Sequence, residues 1–89
     1  MLFMVIERFK DQDPIPIYRR LSDEGRTMPK GLSYLGSWIE PNFDRCFQLM
    51  ECDDARLFLE WVLPWRDLIE FEVVPVSPSR EVRALFNGG

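Results

Sequence analysis

The sequence predicts an α+β domain in which a four-stranded antiparallel sheet carries two helices on one face, the elements running β-α-β-β-α-β. Two observations predict it. Leu32 to Cys52 reads as strand, turn, strand: LSYLGSWIE and RCFQLMEC are rich in β-branched, aromatic and sulfur residues, and Pro41, Asn42, Phe43 and Asp44 between them supply turn chemistry. A strand and a helix precede this hairpin, and a helix and a strand follow it. At 89 residues the chain is one domain, residues 1–89, with 78–89 read as a partly flexible C-terminal extension.

Taken in order, Leu2 to Phe9 is the first strand, apolar on both sides: Phe3, Val5 and Phe9 on one, Leu2, Met4 and Ile6 on the other. Such a strand must be covered twice. Asp11, Asp13 and Pro14 break the run, and Asp13 is placed to cap a helix whose first position suits Pro14. Ile17, Tyr18 and Leu21, with Met28 as a further candidate, have helical spacing, while Arg19, Arg20, Asp23, Glu24 and Arg26 form a solvated face. Gly25 is the expected C-cap, and Pro29, Lys30 and Gly31 end the segment.

Beyond the hairpin, Asp53 or Asp54 is expected to cap the second helix, in which Leu57, Phe58, Trp61, Val62 and Trp65 recur at intervals of three and four. Pro64 interrupts it and predicts a kink, or a short further helix through Leu68. Glu70 to Ser77 is the last strand, with Phe71 and Val73 on one side and Glu70, Glu72, Val74 and Val76 on the other. Pro75 makes it an edge strand. Ser79 to Phe86 is expected to form a terminal helical turn, and Asn87, Gly88 and Gly89 to fray.

With the first and third strands central, the cleaner apolar set is expected beneath the helices: Phe3 and Val5, Leu35 and Ile39, Phe47 and Leu49, Phe71 and Val73. The opposite set is mixed: Met4, Ile6 and Arg8; Tyr34, Gly36 and Trp38; Cys46, Gln48 and Met50; Glu72, Val74 and Val76. That side is too apolar to face water alone. A homodimer packing two such sheets together would cover it. Arg8, Tyr34, Trp38, Cys46, Gln48 and Glu72 are the candidate ligand-binding residues, polar tips and a thiol on an apolar wall between the sheets. Each has a plainer role available. Trp38 and Tyr34 suit interface packing, Gln48 a neighbouring strand, and Arg8 and Glu72 each other across adjacent strands.

Composition narrows the chemistry. Eleven basic against fifteen acidic side chains leave a net charge of -4, which gives no footprint for phosphate backbones or anionic membrane. Arg45–Glu51 also lacks the aromatic motif of RNA-binding sheets of this topology, so no nucleic-acid partner is expected. No apolar run approaches about 18 residues and no basic region precedes the N-terminal apolar stretch, so a soluble, cytoplasmic protein without a membrane partner is expected. Cys46 and Cys52, six apart on one strand, stand about 20 Å from each other, too far for a bridge. Two reduced thiols suit a reducing compartment, where they act as small buried hydrophobes. The chain has no histidine, which removes a Ser-His-Asp triad, the commonest transition-metal ligand and a histidine-ligated haem. Gly25, Gly31 and Gly36 lack phosphate-loop spacing, and Glu51, Asp53 and Asp54 lack that of a calcium loop. No cofactor and no metal are expected.

MLFMVIERFK, the segment from Pro29 to Glu40 with its Gly-Leu-Ser-Tyr core and Ser37-Trp38 pair, Arg45–Glu51, and Phe71 to Val76 together resemble a small bacterial family known as a domain of unknown function. The likeness covers nearly the whole chain. Its layout is similar to the dimeric α/β barrel superfamily, whose ferredoxin-like protomers pair sheet against sheet and include cofactor-independent oxygenases, lactone isomerases and haem enzymes. The resemblance implies architecture, and the missing histidine leaves no catalytic residue to carry over. The expected function is a homodimer binding a small apolar or aromatic metabolite in an inter-sheet cavity. Two rivals stand beside it: a cofactor-free oxygenase or isomerase, with Trp38 and Tyr34 shelving the substrate while Arg8 and Gln48 polarise an enolate-like oxygen, and a purely structural or regulatory dimer.

Overall fold

The computed structural model describes residues 1–87. β1 (Leu2–Phe9), α1 (Ile15–Glu24), β2 (Ser33–Ile39), β3 (Arg45–Glu51), α2 (Leu57–Val62), β4 (Ile69–Val76) and α3 (Ser79–Phe86) follow one another along the chain. The strands form one antiparallel sheet in the order β2-β3-β1-β4. This is the ferredoxin-like α+β arrangement, with β1 and β3 central, plus a C-terminal helix. Gly88 and Gly89, where fraying was expected, lie outside the described residues.

Local chemistry explains the boundaries. The Asp13 side chain accepts the Ile15 amide at 3.0 Å, supplying one of the partners a helix start lacks. Gly25 closes α1 at φ +70, its amide bonded to the Leu21 carbonyl, a conformation in which a Cβ would be strained. Between β2 and β3, Phe43 takes a left-handed φ of 60 and Glu40 donates to the Arg45 carbonyl at 3.0 Å. α2 stops at Val62, two residues before Pro64, so the expected kink is a termination. The chain continues to Leu68 in hydrogen-bonded turns rather than a second helix. β4 lies at the sheet edge, as Pro75 requires.

The core lies between the sheet and the first two helices. Phe3, Val5, Phe9 and Ile69 point into it and meet Ile17 from α1, Phe58 and Trp61 from α2, and Trp65 from the following turn. Phe3 and Phe58 pack edge to face with centroids 5.0 Å apart, as do Trp61 and Phe71 at 5.6 Å, a geometry that adds about 0.5–1.5 kcal/mol per pair beyond the area buried.

Both sides of β1 and β4 are as the alternation predicted, but β3 is inverted. Cys46, Gln48 and Met50 lie opposite Glu7, Val5 and Phe3, and directly opposed residues share a face, so these three sit beneath the helices. Phe47 and Leu49, expected inside, lie on the open face opposite Ile6 and Met4. The reason is phase. Cys52 continues the Cys46-Gln48-Met50 set and is buried with Met50, and a one-residue slip would turn all four outward. β2 carries a bulge between Tyr34 and Gly36, which leaves Leu35 exposed instead of in the core. The bulge also moves Tyr34, opposite Met50, to the helix side. Gly36 and Trp38 stay on the open face, opposite Leu49 and Phe47.

Met50 is fully buried, and truncating it leaves a cavity the sheet cannot close. Met50→Ala is expected to cost about 2–5 kcal/mol, read from the chemical-denaturation midpoint.

Candidate functional site

A cleft of about 60 Å³ opens between the sheet and the helix layer. Its floor is Glu7 from β1 with Cys46 and Gln48 from β3; Ile17, Tyr18 and Trp61 are among its walls, and Arg26 stands at its edge. The loop after α1 is held over it by the two indoles. Trp61 Nε1 donates to the Arg26 carbonyl at 3.1 Å and Trp65 Nε1 to Thr27 Oγ1 at 3.2 Å. Arg20 strengthens the same corner, bidentate to Asp67 at 2.9 and 2.8 Å and 5.4 Å over the Trp65 ring. That guanidinium holds Asp67 down to about 2.

Glu7 is 5% exposed and Gln48 8%. Gln48 Nε2 donates to Glu7 Oε1, but Gln48 Oε1 is buried without a partner. Unsatisfied buried amide oxygens are rare because each forfeits its hydration, typically about 1–3 kcal/mol. Burial pushes the Glu7 pKa above its ordinary 4.5, against smaller lowering contributions from Gln48, Cys46 and Arg26, in that order. Burial, with the neighbouring Glu7 charge behind it, pushes Cys46 up to about 12. Cys46 is therefore a thiol that donates, not a thiolate nucleophile. Among the described residues Glu7 forms no ion pair, and no three Cys, Asp or Glu side chains converge as metal ligands.

The six candidates from the sequence divide between two faces. Tyr34, Cys46 and Gln48 lie on the helix side, Cys46 and Gln48 in the cleft and Tyr34 just outside it, its ring 3.9 Å beneath the Arg26 guanidinium and its hydroxyl 2.6 Å from Ser37 Oγ. Arg8, Trp38 and Glu72 stand on the open face. Arg8 pairs with Asp44 at 3.4 Å rather than with Glu72. Trp38 folds over Gly36, where a Cβ would meet its ring at 3.2 Å, and remains 59% exposed. An oxyanion site drawing on Arg8 and Gln48 together is not assembled within one chain, because the sheet separates them. The residue pattern does not single out Glu7, although it falls in the inward phase of Phe3, Val5 and Phe9.

Because the folded pKa of Glu7 is raised, its contribution to stability is whole below about 4.5, where unfolded and folded carboxyls are both protonated. It is lost as pH rises through the folded value. Glu7→Gln keeps the acceptor for Gln48 without the charge. Its melting temperature is expected to exceed that of the parent at about pH 8, with the gap closing as pH falls to about 4; an equal gap at both ends would contradict the assignment.

No helix among the described residues is long and apolar enough to cross a membrane. Comparison with curated proteins gives no match, and comparison with solved structures gives none. One family model matches the chain along residues 1–89, and the protein therefore belongs to the family described as Domain of unknown function (DUF3303).

Proposed function

We propose that this protein binds a small molecule with an apolar or aromatic body in the cleft between sheet and helices, and that it does so as a homodimer. The observation that carries the first part is the orphaned Gln48 Oε1 beside the buried Glu7 carboxyl, in a cleft whose remaining lining, apart from Arg26, Ser37 and Cys46, is aromatic and aliphatic. A few convergent polar atoms on an apolar wall are what a ligand site requires. The cleft is proposed in place of an inter-sheet cavity because Cys46 and Gln48 of β3 face the helices.

The second part draws on two unpartnered apolar surfaces. No residue of the open sheet face is buried, although Met4, Ile6, Phe47, Leu49 and Val74 stand together on it. α3 buries no residue and leaves Val82, Leu85 and Phe86 exposed. Arg8 and Arg45 with Glu70 and Glu72 put both charge signs around the sheet patch, so a two-fold axis lets it pair with its own copy. A catalytic reading, as a cofactor-free oxygenase or isomerase, draws on Glu7, since a carboxyl raised by burial is a better proton acceptor near neutrality. A reducing cytoplasm suits the two free thiols.

Ligand-observed NMR against a library of compact aromatic fragments is expected to give binders that Gln48→Met loses; a folded protein that binds none of them would refute the ligand reading. In sedimentation at about 10 µM the parent is expected to run as a dimer and Ile6→Lys, in the middle of the open face, as a monomer. A parent that sediments as a monomer would refute the dimer.

A further inference from the structure

The polar lining of the cleft is Glu7, Gln48 and Cys46 on its floor, Arg26 at its edge and Ser37, whose hydroxyl is engaged with Tyr34, and the atom left without a partner is an acceptor. Among the described residues Glu7 is a carboxyl without an ion-pair partner, Gln48 has already given one amide proton to it, and Gln48 Oε1 accepts nothing. A ligand that completes this floor must bring hydrogens. An anion would meet a buried carboxyl of its own sign. A neutral alcohol carries one proton, enough for one of the two acceptors, and leaves the carboxylate charge uncompensated.

We propose, building on the small-molecule reading above, that the cleft takes a small protonated primary amine with a flat apolar body, its ammonium donating to Glu7 and to Gln48 Oε1. Three N–H bonds on one nitrogen can serve both acceptors with one to spare, and charge assistance makes each stronger than a neutral bond. The walls suit a cation as well. Trp61 lines the cleft, and the neighbouring Trp65 already carries a guanidinium on its face, the kind of contact an ammonium makes with an indole. At about 60 Å³ the cleft holds the head group and the first atoms of the body, while the remainder leans toward Tyr18 and Arg26.

The charged and titratable groups facing Glu7 are few. α1 contributes Tyr18, the following loop Arg26 and β3 the Cys46 thiol, whereas α2 and its following turn contribute the indoles of Trp61 and Trp65. Arg26 is the one cation among them, and its pull on Glu7 ranks behind burial and both side-chain hydrogen bonds. Its guanidinium is stacked on Tyr34 and, among the described residues, makes no ion pair with Glu7. Since the amine requires ionised Glu7, binding weakens as pH falls through the raised value for that carboxyl and takes up no proton above it.

Isothermal titration of the full chain with 2-phenylethylamine, 2-phenylethanol and phenylacetate tests this, from about pH 5 to pH 8. The amine is expected to bind about tenfold or more tightly than the alcohol at the upper end and to lose that advantage at the lower. Glu7→Gln is expected to weaken the amine about tenfold and flatten its pH dependence, leaving the alcohol within about threefold of the parent. Alcohol or phenylacetate binding as well as the amine, or an amine affinity unchanged in Glu7→Gln, overturns the ammonium assignment while the small-molecule reading stands. If none of the three binds to protein with a native melting transition, both fall together.

Discussion

Everything on the helix side of the sheet follows from the way β3 is phased against β1. Because Gln48 lies opposite Val5 and Cys46 opposite Glu7, Glu7, Cys46 and Gln48 are brought to one spot beneath the helices. Burying Glu7 alone would be costly, and burying Gln48 alone would strand four hydrogen-bonding sites. Together they satisfy part of each other's demand, and Gln48 Oε1 is left without a partner in a residue that lines the cleft. Shifting β3 by one residue would exchange Cys46 and Gln48 for Phe47 and Leu49 and leave Glu7 facing hydrocarbon.

The roof of the cleft depends on a different device. α2 is short, and the loop after α1 has little regular structure, yet each of the two tryptophans that the second helical segment contributes uses its apolar body in the core and its N–H on that loop. An indole is suited to this because its single donor lies on the rim of a large apolar surface. Arg20 bracing Trp65 from outside, with Asp67 fixing the guanidinium, extends the same clamp to the surface.

Much of the fold was legible in the residues. β1 and its two faces, Asp13 and Gly25 at the ends of α1, the turn at Pro41–Asp44, and the edge position of β4 each follow from local chemistry that tertiary packing reinforces. The phase of β3 did not follow, because RCFQLMEC offers two plausible inward sets and hydrophobicity favours the wrong one. Phe47 and Leu49 are greasier than Cys46 and Gln48, and only pairing with β1 decides between them. The bulge at Leu35 misled in the same way, since an inserted residue breaks the alternation on which face assignment rests. The site is therefore half legible: the residue pattern singles out Cys46, Gln48 and Tyr34 but places them on the opposite face, and Glu7 stands as one acid within an otherwise greasy run.

The two rims of the sheet differ from its broad surfaces in how they meet neighbours. On one rim Pro75 removes a backbone donor from β4, and on the other the extra residue at Leu35 bends β2 out of a straight ladder. Neither offers the long, regular row of amides and carbonyls along which strands of separate molecules stack into fibres. For a chain with this much exposed hydrocarbon, the consequence is that strand addition along either rim is disfavoured.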